Sequence, residues 1–589
     1  MSELFEPLDG YDRRLLGVPD GTPDELVAFN VAGVLTAADI HVATTVGRLG
    51  GESSPEVLLA VALTVRAVRF GSVGLDLATV ADSLEGALSV DQRGTLPWPD
   101  PDRWRSVVAA SPLLRAGVVH LDTELLHLDR YHALEVQVCD DLLVRLDAEV
   151  PAPDETLLQA GAHRVFPGEG YAEQRAAAAA AVRQPTTVLT GGPGTGKTTT
   201  VAGLLVLLRE QAERRGEELR VGLAAPTAKA AARLREAIEE AADQLPVADR
   251  DRVRGLEATT LHRLLGFRPD NATRFRHHRG NRLPHDVVLV DETSMMSLTM
   301  TARLLEAVRP DARLILVGDP DQLASVEAGV VLGDLVAGLA EHPHTPVVGL
   351  RTVHRYGEGI GALARALRAG DADEVLGVLR AGAPGVTFAE TDDPVPALRE
   401  ACTSAALRMH AAAEAGDAPG ALAVLEQHRL LCAHRDGPAG VRHWNALVEQ
   451  WLAEATGHHG RSGIGRPLLV TANDYALGVL NGDAGVVVAT PDGPRAFFTG
   501  GDAFAPARLG DVDTMYAMTI HKAQGSQAAE VSVLLPPEDS LLLTRELFYT
   551  AVTRAREHVR VVGTEAAVRA AVERRVQRAS GLRRRLQVS

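Results

Sequence analysis

The segment TTVLTGGPGTGKTTT, residues 186–200, constrains the fold of this chain more than any other. A short apolar run leads directly into the pattern G-x-x-x-x-G-K-[ST], at Gly191, Gly196, Lys197 and Thr198, and the helix-like run TTTVAGLLVLL follows. This order predicts a P-loop, because glycines let successive backbone N–H groups face a phosphate at a helix N-terminus. Such loops lie at the carboxyl edge of a parallel sheet, so we expect an α/β fold.

Short apolar strands alternate with helices over most of the remaining chain. One series is TTVLTGG, RVGLAAPT, DVVLVDE and RLILVGD, and a later one is RLLCAHRDG, TMYAMTIHK, EVSVLLP and HVRVVGT. Alternation of this kind predicts parallel sheets with helices on both faces. Two similar α/β cores are therefore expected.

Pro-rich breaks and changes of pattern divide the chain into domains. Between strands of the second core, closely spaced short strands with Asn-Gly and Asp-Gly turns predict a small β-barrel or meander. The resulting division is a helical N-terminal domain over 1–150, a first core over 151–348, a second core over 349–465 and 514–589, and a small β insertion over 466–513.

The bulk properties exclude several classes of protein. A net charge of −17 argues against coating nucleic acid through a global positive field. No apolar run approaches the roughly 20 residues that span a bilayer, and the acidic start MSELFEPLDG is unlike a signal peptide, so a cytoplasmic location is expected. The cysteines Cys139, Cys402 and Cys432 are too few and too dispersed for a disulfide framework or a zinc site.

Carboxylates and an amide follow two further strands of the first core. Asp291 and Glu292 end DVVLVDE, where one carboxylate can hold Mg²⁺ and the other can polarise a water toward a γ-phosphate. Gln322 in GDPDQL follows the next strand and is suited to sensing that phosphate. With Lys197 on the β- and γ-phosphates and Thr198 on Mg²⁺, these residues predict ATP hydrolysis.

The chain resembles a superfamily 1 helicase, because seven motifs of that superfamily occur in order: GGPGTGKT, APTAKAA, TTLHRLLG, VDETSM, GDPDQL, MTIHKAQGS and FYTAVTRARE. More narrowly, the chain resembles the RecD family, the α subunits of RecBCD helicase-nucleases (exodeoxyribonuclease V). The segments that carry this resemblance are HHRGNRLPHDVVLVDETSM, ANDYALGVLNGDAG and LDRYHALE. The resemblance covers nearly the whole chain. It implies two RecA-like motor domains, a docking role for the N-terminal domain, an SH3-like form of the β insertion and a small hairpin insertion at about 267–285, for which a basic loop is the alternative.

The resemblance assigns the nucleotide site residue by residue. Gln174 matches the glutamine that reads adenine, while Arg355 and Arg554 match the arginines of motifs IV and VI that reach the γ-phosphate from the second core. The P-loop contacts it implies come from Gly192, Gly194, Thr195, Gly196, Lys197, Thr198 and Thr199. Two positions depart from the family: Gln527 replaces an acidic residue, and His354 stands where an aromatic ring often stacks on adenine.

Lysine occurs only three times, at Lys197, Lys229 and Lys522, although lysine and arginine together number 60. A compact ammonium suits a backbone phosphate, so the three lysines point to working sites. The last two fall in motifs Ia and V, which with motif Ib line the single-strand groove of the family. The implied DNA-binding residues are Pro226, Thr227, Lys229, Thr260, His262, Thr519, His521 and Lys522. A structural role for Lys229 or Lys522 is the alternative.

The C-terminus carries the one strongly basic run, at Arg574, Arg575, Arg578, Arg583, Arg584 and Arg585. It is interpreted as a solvated helix end or a subunit contact, with a contact to the DNA backbone as the alternative.

The expected function is that of an ATP-dependent DNA helicase subunit that tracks single-stranded DNA in double-strand-break processing and recombinational repair. The resemblance implies 5′ to 3′ polarity and a heterotrimer with RecB-like and RecC-like subunits. The chain should not itself be the nuclease, since those centres use a lysine beside metal-binding carboxylates and all three lysines are assigned. Alternatives are a stand-alone RecD-like helicase and a nucleotide-gated scaffold with a regulatory ATPase.

Overall fold

Four sheets organise the computed structural model, which describes residues 22–85, 94–268, 274–352, 358–457, 463–474, 476–499, 501 and 503–588. One sheet has three antiparallel strands, one has six parallel strands, one has five parallel strands and one has five antiparallel strands. The predicted α/β class with two parallel cores is confirmed.

The N-terminal part combines helices with the smallest sheet. Its helices are α1 (Asp24–Val31), α2 (Ala37–Gly50), α3 (Pro55–Arg69), α4 (Val80–Glu85), α5 (Pro101–Ala109), α6 (Pro112–Arg115) and α7 (Asp129–Leu146). Its strands are β1 (Gly74–Leu75), β2 (Val119–Asp122) and β3 (Leu125–Leu128), with β3 in the middle. The sequence prediction of helices alone missed these strands, because strands of 2 and 4 residues are too short to show an alternating pattern.

Helix α7 joins this part to the first core. Val138 and Leu142 share one hydrophobic cluster with residues of the first core. The Arg145 guanidinium is buried and donates to the carbonyl oxygens of Arg309, at 2.9 Å, and Ala312, at 2.6 Å. A charge so enclosed is tolerated because carbonyl dipoles accept its hydrogen bonds.

The first core is the six-stranded sheet, with order β6-β5-β7-β8-β4-β9 and every neighbouring pair parallel. Its strands are β4 (Thr186–Gly191), β5 (Val221–Ala225), β6 (Ala258–Thr260), β7 (Val287–Val290), β8 (Arg313–Gly318) and β9 (Val347–Leu350). Its helices are α8 (Glu155–Val165), α9 (Ala172–Arg183), α10 (Lys197–Arg214), α11 (Ala228–Asp243), α12 (Val247–Val253), α13 (Leu261–Leu265), α14 (Leu298–Ala307) and α15 (Val331–Leu339).

The second core is a five-stranded parallel sheet. Its helices are α16 (Glu358–Ala369), α17 (Ala372–Arg380), α18 (Pro394–Glu414), α19 (Ala418–Gln427), α20 (Val441–Thr456), α21 (Arg545–Val552) and α22 (Glu565–Glu573). Its strands, taken along the chain, are β10 (Val386–Glu390), β11 (His428–Cys432), β17 (Ala517–Thr519), β18 (Ala528–Leu534) and β19 (Ala555–Gly563). They lie in the order β10-β19-β18-β11-β17.

The remaining five strands interrupt the second core between α20 and β17. They are β12 (Pro467–Val470), β13 (Ala484–Val488), β14 (Arg495–Phe498), β15 (Ala503–Phe504) and β16 (Val512–Thr514). They form an antiparallel sheet of order β15-β14-β13-β12-β16 with its own small core, which includes Leu468, Val487 and Phe498. The range predicted for a β insertion, 466–513, contains nearly all of this sheet.

The range proposed for a hairpin, about 267–285, lies partly outside the described residues, at 269–273. Within its described part, the pairing is one isolated antiparallel bridge between His278 and Asn281. Arg279 forms an ion pair with Asp141 of α7 at 2.8 Å, so this turn is fastened to the N-terminal part.

The basic C-terminal segment, residues 574–588, crosses from the second core to the first, and we call it the C-terminal strap. Its helix α23 (Leu582–Val588) packs on α15 and α7, and Leu582 and Leu586 are buried in the hydrophobic cluster of the first core. The assignment of this helix to the second core is therefore wrong. Leucines four residues apart give α23 an apolar face, and the nearest apolar surface lies on the first core.

The arginines of the strap hold it in place. Arg578 donates to the carbonyl oxygen of Ser325, and Arg585 forms an ion pair with Asp122 at 2.6 Å. Arg574 donates to the carbonyl oxygen of Leu543 at 3.4 Å, and Arg584 pairs with Glu124. Arg578 and Arg585 are drawn into contacts within the chain, whereas Arg584 is exposed in its ion pair, as the solvated helix end predicts.

We expect Leu582→Ala to destabilise the protein by about 2–5 kcal/mol, since it empties a buried site where the strap meets the first core. The check is the unfolding midpoint in denaturant. Leu541→Ala, at a leucine that is 60% exposed, is the matched control and should change stability by less than about 0.5 kcal/mol. Equal midpoints for the two variants would contradict the anchoring role of α23.

Candidate functional site

The P-loop connects β4 to α10 at the carboxyl edge of the first core. Gly194 and Gly196 have φ values of 79° and 82°, a conformation that side chains disfavour. The Lys197 ammonium donates to the carbonyl oxygens of Gly191, at 2.6 Å, and Gly192, at 3.1 Å. The loop thus encircles its own lysine, and the first N–H groups of α10 face the space that a phosphate would take.

Two close approaches explain the glycines at the start of the loop. A Cβ added to Gly191 would lie 2.6 Å from the Thr195 hydroxyl, and one on Gly192 would lie 3.1 Å from the Tyr549 hydroxyl. Gln174 is fully buried, and its amide nitrogen donates to the Thr195 carbonyl oxygen at 3.1 Å. The residue predicted to read adenine therefore also anchors the loop.

The paired acids follow β7, at the same edge of the sheet. Burial raises the pKa of Asp291, and the adjacent charge of Glu292 raises it further. Glu292 has a φ of 52°, which is unusual for a residue other than glycine and stores strain that functional sites often carry. With this backbone conformation, Glu292 lines the same cavity as the P-loop residues.

The segment 319–325, which follows β8, is held by the second core through most of its polar groups, and we call it the motif III loop. Asp319 accepts a hydrogen bond from the Tyr549 hydroxyl at 2.9 Å, and Gln322 accepts one from the Arg554 guanidinium at 3.1 Å. The Leu323 amide donates to the Thr550 hydroxyl at 2.9 Å, and its carbonyl oxygen accepts from Gln524 at 2.8 Å. Asp321 pairs with Arg368 of α16 at 2.6 Å.

A cavity of about 490 Å³ lies between the two cores at this place, within the size range of small-molecule sites. Most of the predicted nucleotide-site residues line it: Gly194, Gly196, Lys197, Thr198, Thr199, Asp291, Glu292, Gln322 and Arg554. Arg233 and Gln527 line it too, and the Arg233 guanidinium donates to the Gln527 side-chain oxygen. The neutral residue that departs from the family pattern is thus held from the opposite core.

The residues present fit Mg²⁺ bound together with phosphates. Asp291, Glu292 and Thr198 offer the hard oxygen ligands that this ion takes. Within the described ranges, no cluster of three or more His, Cys, Asp or Glu side chains could hold a metal ion unaided. Mg²⁺ usually binds through one or two carboxylates plus substrate phosphates, which matches this donor set.

Three threonines of the predicted DNA-binding motifs share one local geometry. The hydroxyls of Thr227, Thr260 and Thr519 accept hydrogen bonds from the backbone amides three residues later, at 3.2, 3.2 and 3.3 Å. Thr260 pairs with Ala225 across β6 and β5, and a Cβ on Gly525 would lie 3.6 Å from the Thr227 hydroxyl. The fold therefore brings motifs Ia, Ib and V to one face of the two cores.

The lysines and histidines of these motifs have different surroundings. Burial lowers the pKa of Lys229 to about 8, and the charge of Arg429 lowers it further. Lys522 is 41% exposed and pairs with Asp513 of β16 at 3.3 Å, while His262 is exposed with its ring centre 5.7 Å from that of Phe275. Burial lowers the pKa of His521 to about 4, so His521 is neutral at physiological pH.

Arg355 and His354 lie outside the described residues. Sequence reasoning missed Asp319, Tyr549, Arg368 and Arg233, which the fold brings to the cleft. The signal for the first two was present, since both lie inside the quoted motifs GDPDQL and FYTAVTRARE. Arg368 and Arg233 lie on helices whose pattern gives no sign of a cleft.

Three protein-family models match the chain. They are described as AAA domain, over residues 174–328, UvrD-like helicase C-terminal domain, over 514–562, and RecBCD enzyme subunit RecD, N-terminal domain, over 31–124.

Curated relatives match over nearly the whole chain. The RecBCD enzyme subunit RecD of Mycolicibacterium smegmatis is 59% identical over 94% of this chain and 98% of its own length. The protein of the same name from Mycobacterium tuberculosis is 58% identical over 95% and 96% of the two chains. The ATP-dependent RecD2 DNA helicase of Deinococcus radiodurans is 33% identical over 66% of this chain and 48% of its own length. Among solved structures, Bacteroides Pif1 bound to ssDNA aligns with a TM-score of 0.35 and 16% identity, over 67% of this chain and 92% of that one.

Lys197→Ala should reduce ATP hydrolysis by at least about 100-fold, because the ammonium is the cation that the P-loop offers to phosphates. The measurement is steady-state phosphate release, with circular dichroism to establish that the fold is retained. Normal turnover by a folded variant would remove the P-loop assignment.

Lys229→Arg should remove a pH dependence of single-stranded DNA binding. With a pKa of about 8, the amine of Lys229 is protonated and attracts phosphate at lower pH, and it becomes neutral as the pH rises. A guanidinium stays charged throughout this range. Fluorescence anisotropy from about pH 7 to about pH 9 should show the wild-type affinity falling more steeply than that of the variant. Parallel curves would place Lys229 away from the phosphates.

Proposed function

We propose a function that proceeds from one premise, that the chain belongs to the RecD family of RecBCD enzyme subunits. It is an ATP-dependent DNA helicase of superfamily 1 that works in RecBCD-type repair. The finer parts of the proposal are that it moves 5′ to 3′ along single-stranded DNA, uses Mg²⁺ and acts in the cytoplasm. They also include a heterotrimer with RecB-like and RecC-like subunits.

One observation carries this proposal: the ATP cavity is built from both cores, with the P-loop on one side and Arg554 on the other. A ligand that contacts both sides can bind the closed arrangement more tightly than the open one. Its hydrolysis then releases the cores. Alternate closing and opening of two cores is what a motor that steps along a strand requires.

In the proposed reaction, each residue at the cavity has a separate task. Lys197 binds the β- and γ-phosphates, and Glu292 orients the attacking water. Thr198 and Asp291 would hold Mg²⁺, which neutralises developing negative charge when bound. Gln322 senses the γ-phosphate, and Arg554 stabilises the charge on it, with Arg355 as its predicted companion.

The DNA groove is proposed along the face that carries motifs Ia, Ib and V. Hydroxyl and amide groups around Thr227, Thr260 and Thr519, with the ammonium groups of Lys229 and Lys522, suit phosphates. Such contacts read no base, which suits a protein that must pass along any sequence. Because motifs V and Ia lie on different cores, closure of the ATP cavity changes the length of the groove.

The proposed place of the chain is within a complex. The M. smegmatis relative, named as a RecBCD subunit, is matched over 98% of its length, whereas the D. radiodurans helicase is matched over 48%. That difference supports a subunit over a stand-alone helicase. The scaffold alternative is weakened because a scaffold has no need of Lys197, Glu292 and Arg554 in one cavity. The net charge of −17 suits a module that partners hold on DNA.

The test is ATP hydrolysis by the purified chain with and without a single-stranded oligonucleotide. We expect DNA to stimulate hydrolysis. Lys522→Ala should reduce this stimulation more than the basal rate, since Lys522 is an exposed cation at the proposed groove and not a residue of the ATP cavity. Equal loss of both rates would favour a structural role for Lys522. Absence of stimulation, in the chain and in the reconstituted heterotrimer alike, would refute the motor. Unwinding of substrates with a 5′ or a 3′ tail then decides the polarity.

A further inference from the structure

We propose that the hydrogen bond between Tyr549 and Asp319 orients the amide of Gln322. Tyr549 and Asp319 are then positioning residues for DNA-stimulated ATP hydrolysis. The inference rests on the proposed function, since it takes Gln322 and Arg554 as working groups of the ATP site. It adds a component that neither the P-loop nor the paired acids supply, namely a fixed link between the motif III loop and the second core.

The contacts form a closed path across the cleft. The Tyr549 hydroxyl donates to Asp319 Oδ2 at 2.9 Å, and the same oxygen accepts from Gln322 Nε2 at 3.2 Å. Gln322 Oε1 accepts from Arg554 Nη2 at 3.1 Å. Tyr549 lies in α21 and Arg554 shortly after its end, so the path returns to the helix on which it began. Two of its members belong to each core.

This path decides which end of the Gln322 amide faces Arg554. An amide side chain has one donor end and one acceptor end, and an ionised carboxylate only accepts. The Asp319 oxygens accept from the Tyr549 hydroxyl and from the Asp321 amide, so Asp319 faces the NH₂ end of Gln322 as a further acceptor and leaves the oxygen for the arginine. If the Gln322 amide were reversed, its NH₂ group would face the Arg554 guanidinium, and both groups are donors. The carboxylate of Asp319 thus sets the geometry of the hydrogen bond between Gln322 and Arg554.

All four side chains are withdrawn from water. The exposed fractions are 1% for Tyr549, 1% for Asp319, 5% for Gln322 and 3% for Arg554. Hydrogen bonds in such surroundings are stronger than in water, and the loss of one partner is not replaced by solvent. Removal of the Tyr549 hydroxyl should therefore disturb the hydrogen bond between Gln322 and Arg554.

The Tyr549 hydroxyl also lies near the P-loop. It lies 3.1 Å from the position of a Cβ on Gly192, whose carbonyl oxygen accepts a hydrogen bond from the Lys197 ammonium at 3.1 Å. A shift of Lys197 toward a phosphate changes the surroundings of this carbonyl and of the hydroxyl beside it. Tyr549 is thus placed to link the occupancy of the P-loop to the orientation of the motif III loop.

The experiment is Tyr549→Phe in the full chain, which removes one oxygen and keeps the ring in its buried site. We expect the DNA-stimulated kcat to fall about tenfold, as expected for a lost hydrogen bond to a charged group. The KM for ATP should stay within about twofold, because Tyr549 is not proposed to touch ATP. The basal rate should fall less than the stimulated rate. Tyr516→Phe is the control, since Tyr516 is a partly buried tyrosine packed in the interior of the second core.

A double-mutant cycle separates positioning from general damage. Asp319→Leu, which has no acceptor for the Tyr549 hydroxyl or the Gln322 amide, should give a similar loss of stimulated kcat, and the double variant should be no worse than either single variant, because all three break the same path. The inference would be overturned if the losses of kcat in the two single variants multiplied in the double variant. It would also be overturned by an equal fall of the basal and stimulated rates, or by an unchanged kcat in Tyr549→Phe. If the wild type and Tyr516→Phe themselves show no DNA stimulation, alone or in the heterotrimer, the proposed function fails first and the inference fails with it.

Discussion

The insertion of the motif III loop into the second core is the interaction on which the arrangement of the protein depends. The loop begins at the carboxyl end of β8, in the first core, yet its hydrogen-bonding partners come from α16, α21 and the segment after β17. Because these contacts involve backbone groups as well as side chains, the loop has little freedom to move apart from the second core. The loop thereby joins the two cores beside the cavity that residues of both cores line.

The same contact lies between the cavity and the proposed DNA groove. On one side of the loop lie the P-loop and the paired acids. On the other, Gly525 of motif V approaches Thr227 of motif Ia, where the two cores meet again. If these motifs bind DNA as proposed, a change in the cavity would change the spacing between their phosphate-binding groups. Packed cores respond to such changes by moving as units, because their interiors deform little.

The C-terminal strap and α7 connect the N-terminal part to this arrangement. The buried acid Glu135 of α7 accepts hydrogen bonds from the Ser580 hydroxyl, at 2.8 Å, and the Gly581 amide, at 2.9 Å, both in the strap. The strap starts in the second core, so the N-terminal part contacts both cores, one directly and one through this segment. None of the described helices has the length and apolar character needed to cross a membrane. A partner that binds the N-terminal part would be positioned to influence the motor through these contacts.

The sequence by itself determined the elements whose signal is local. These elements are the strand, glycine turn and helix at the P-loop, the acids after β7, and the two series of apolar strands. Each is a pattern within a few residues, because hydrophobic periodicity and backbone freedom depend on residues that are close in sequence. The turns over 466–513 likewise predicted closely spaced strands, and β12 to β16 lie almost entirely in that range. What only the tertiary structure decided depends on residues far apart in the chain. Examples are Tyr549 meeting Asp319, Arg233 meeting Gln527, and Arg578 and Arg585 of the strap meeting Ser325 and Asp122. No local pattern encodes such pairings, because the free energy that selects them comes from burying surfaces that become neighbours only after the chain has folded.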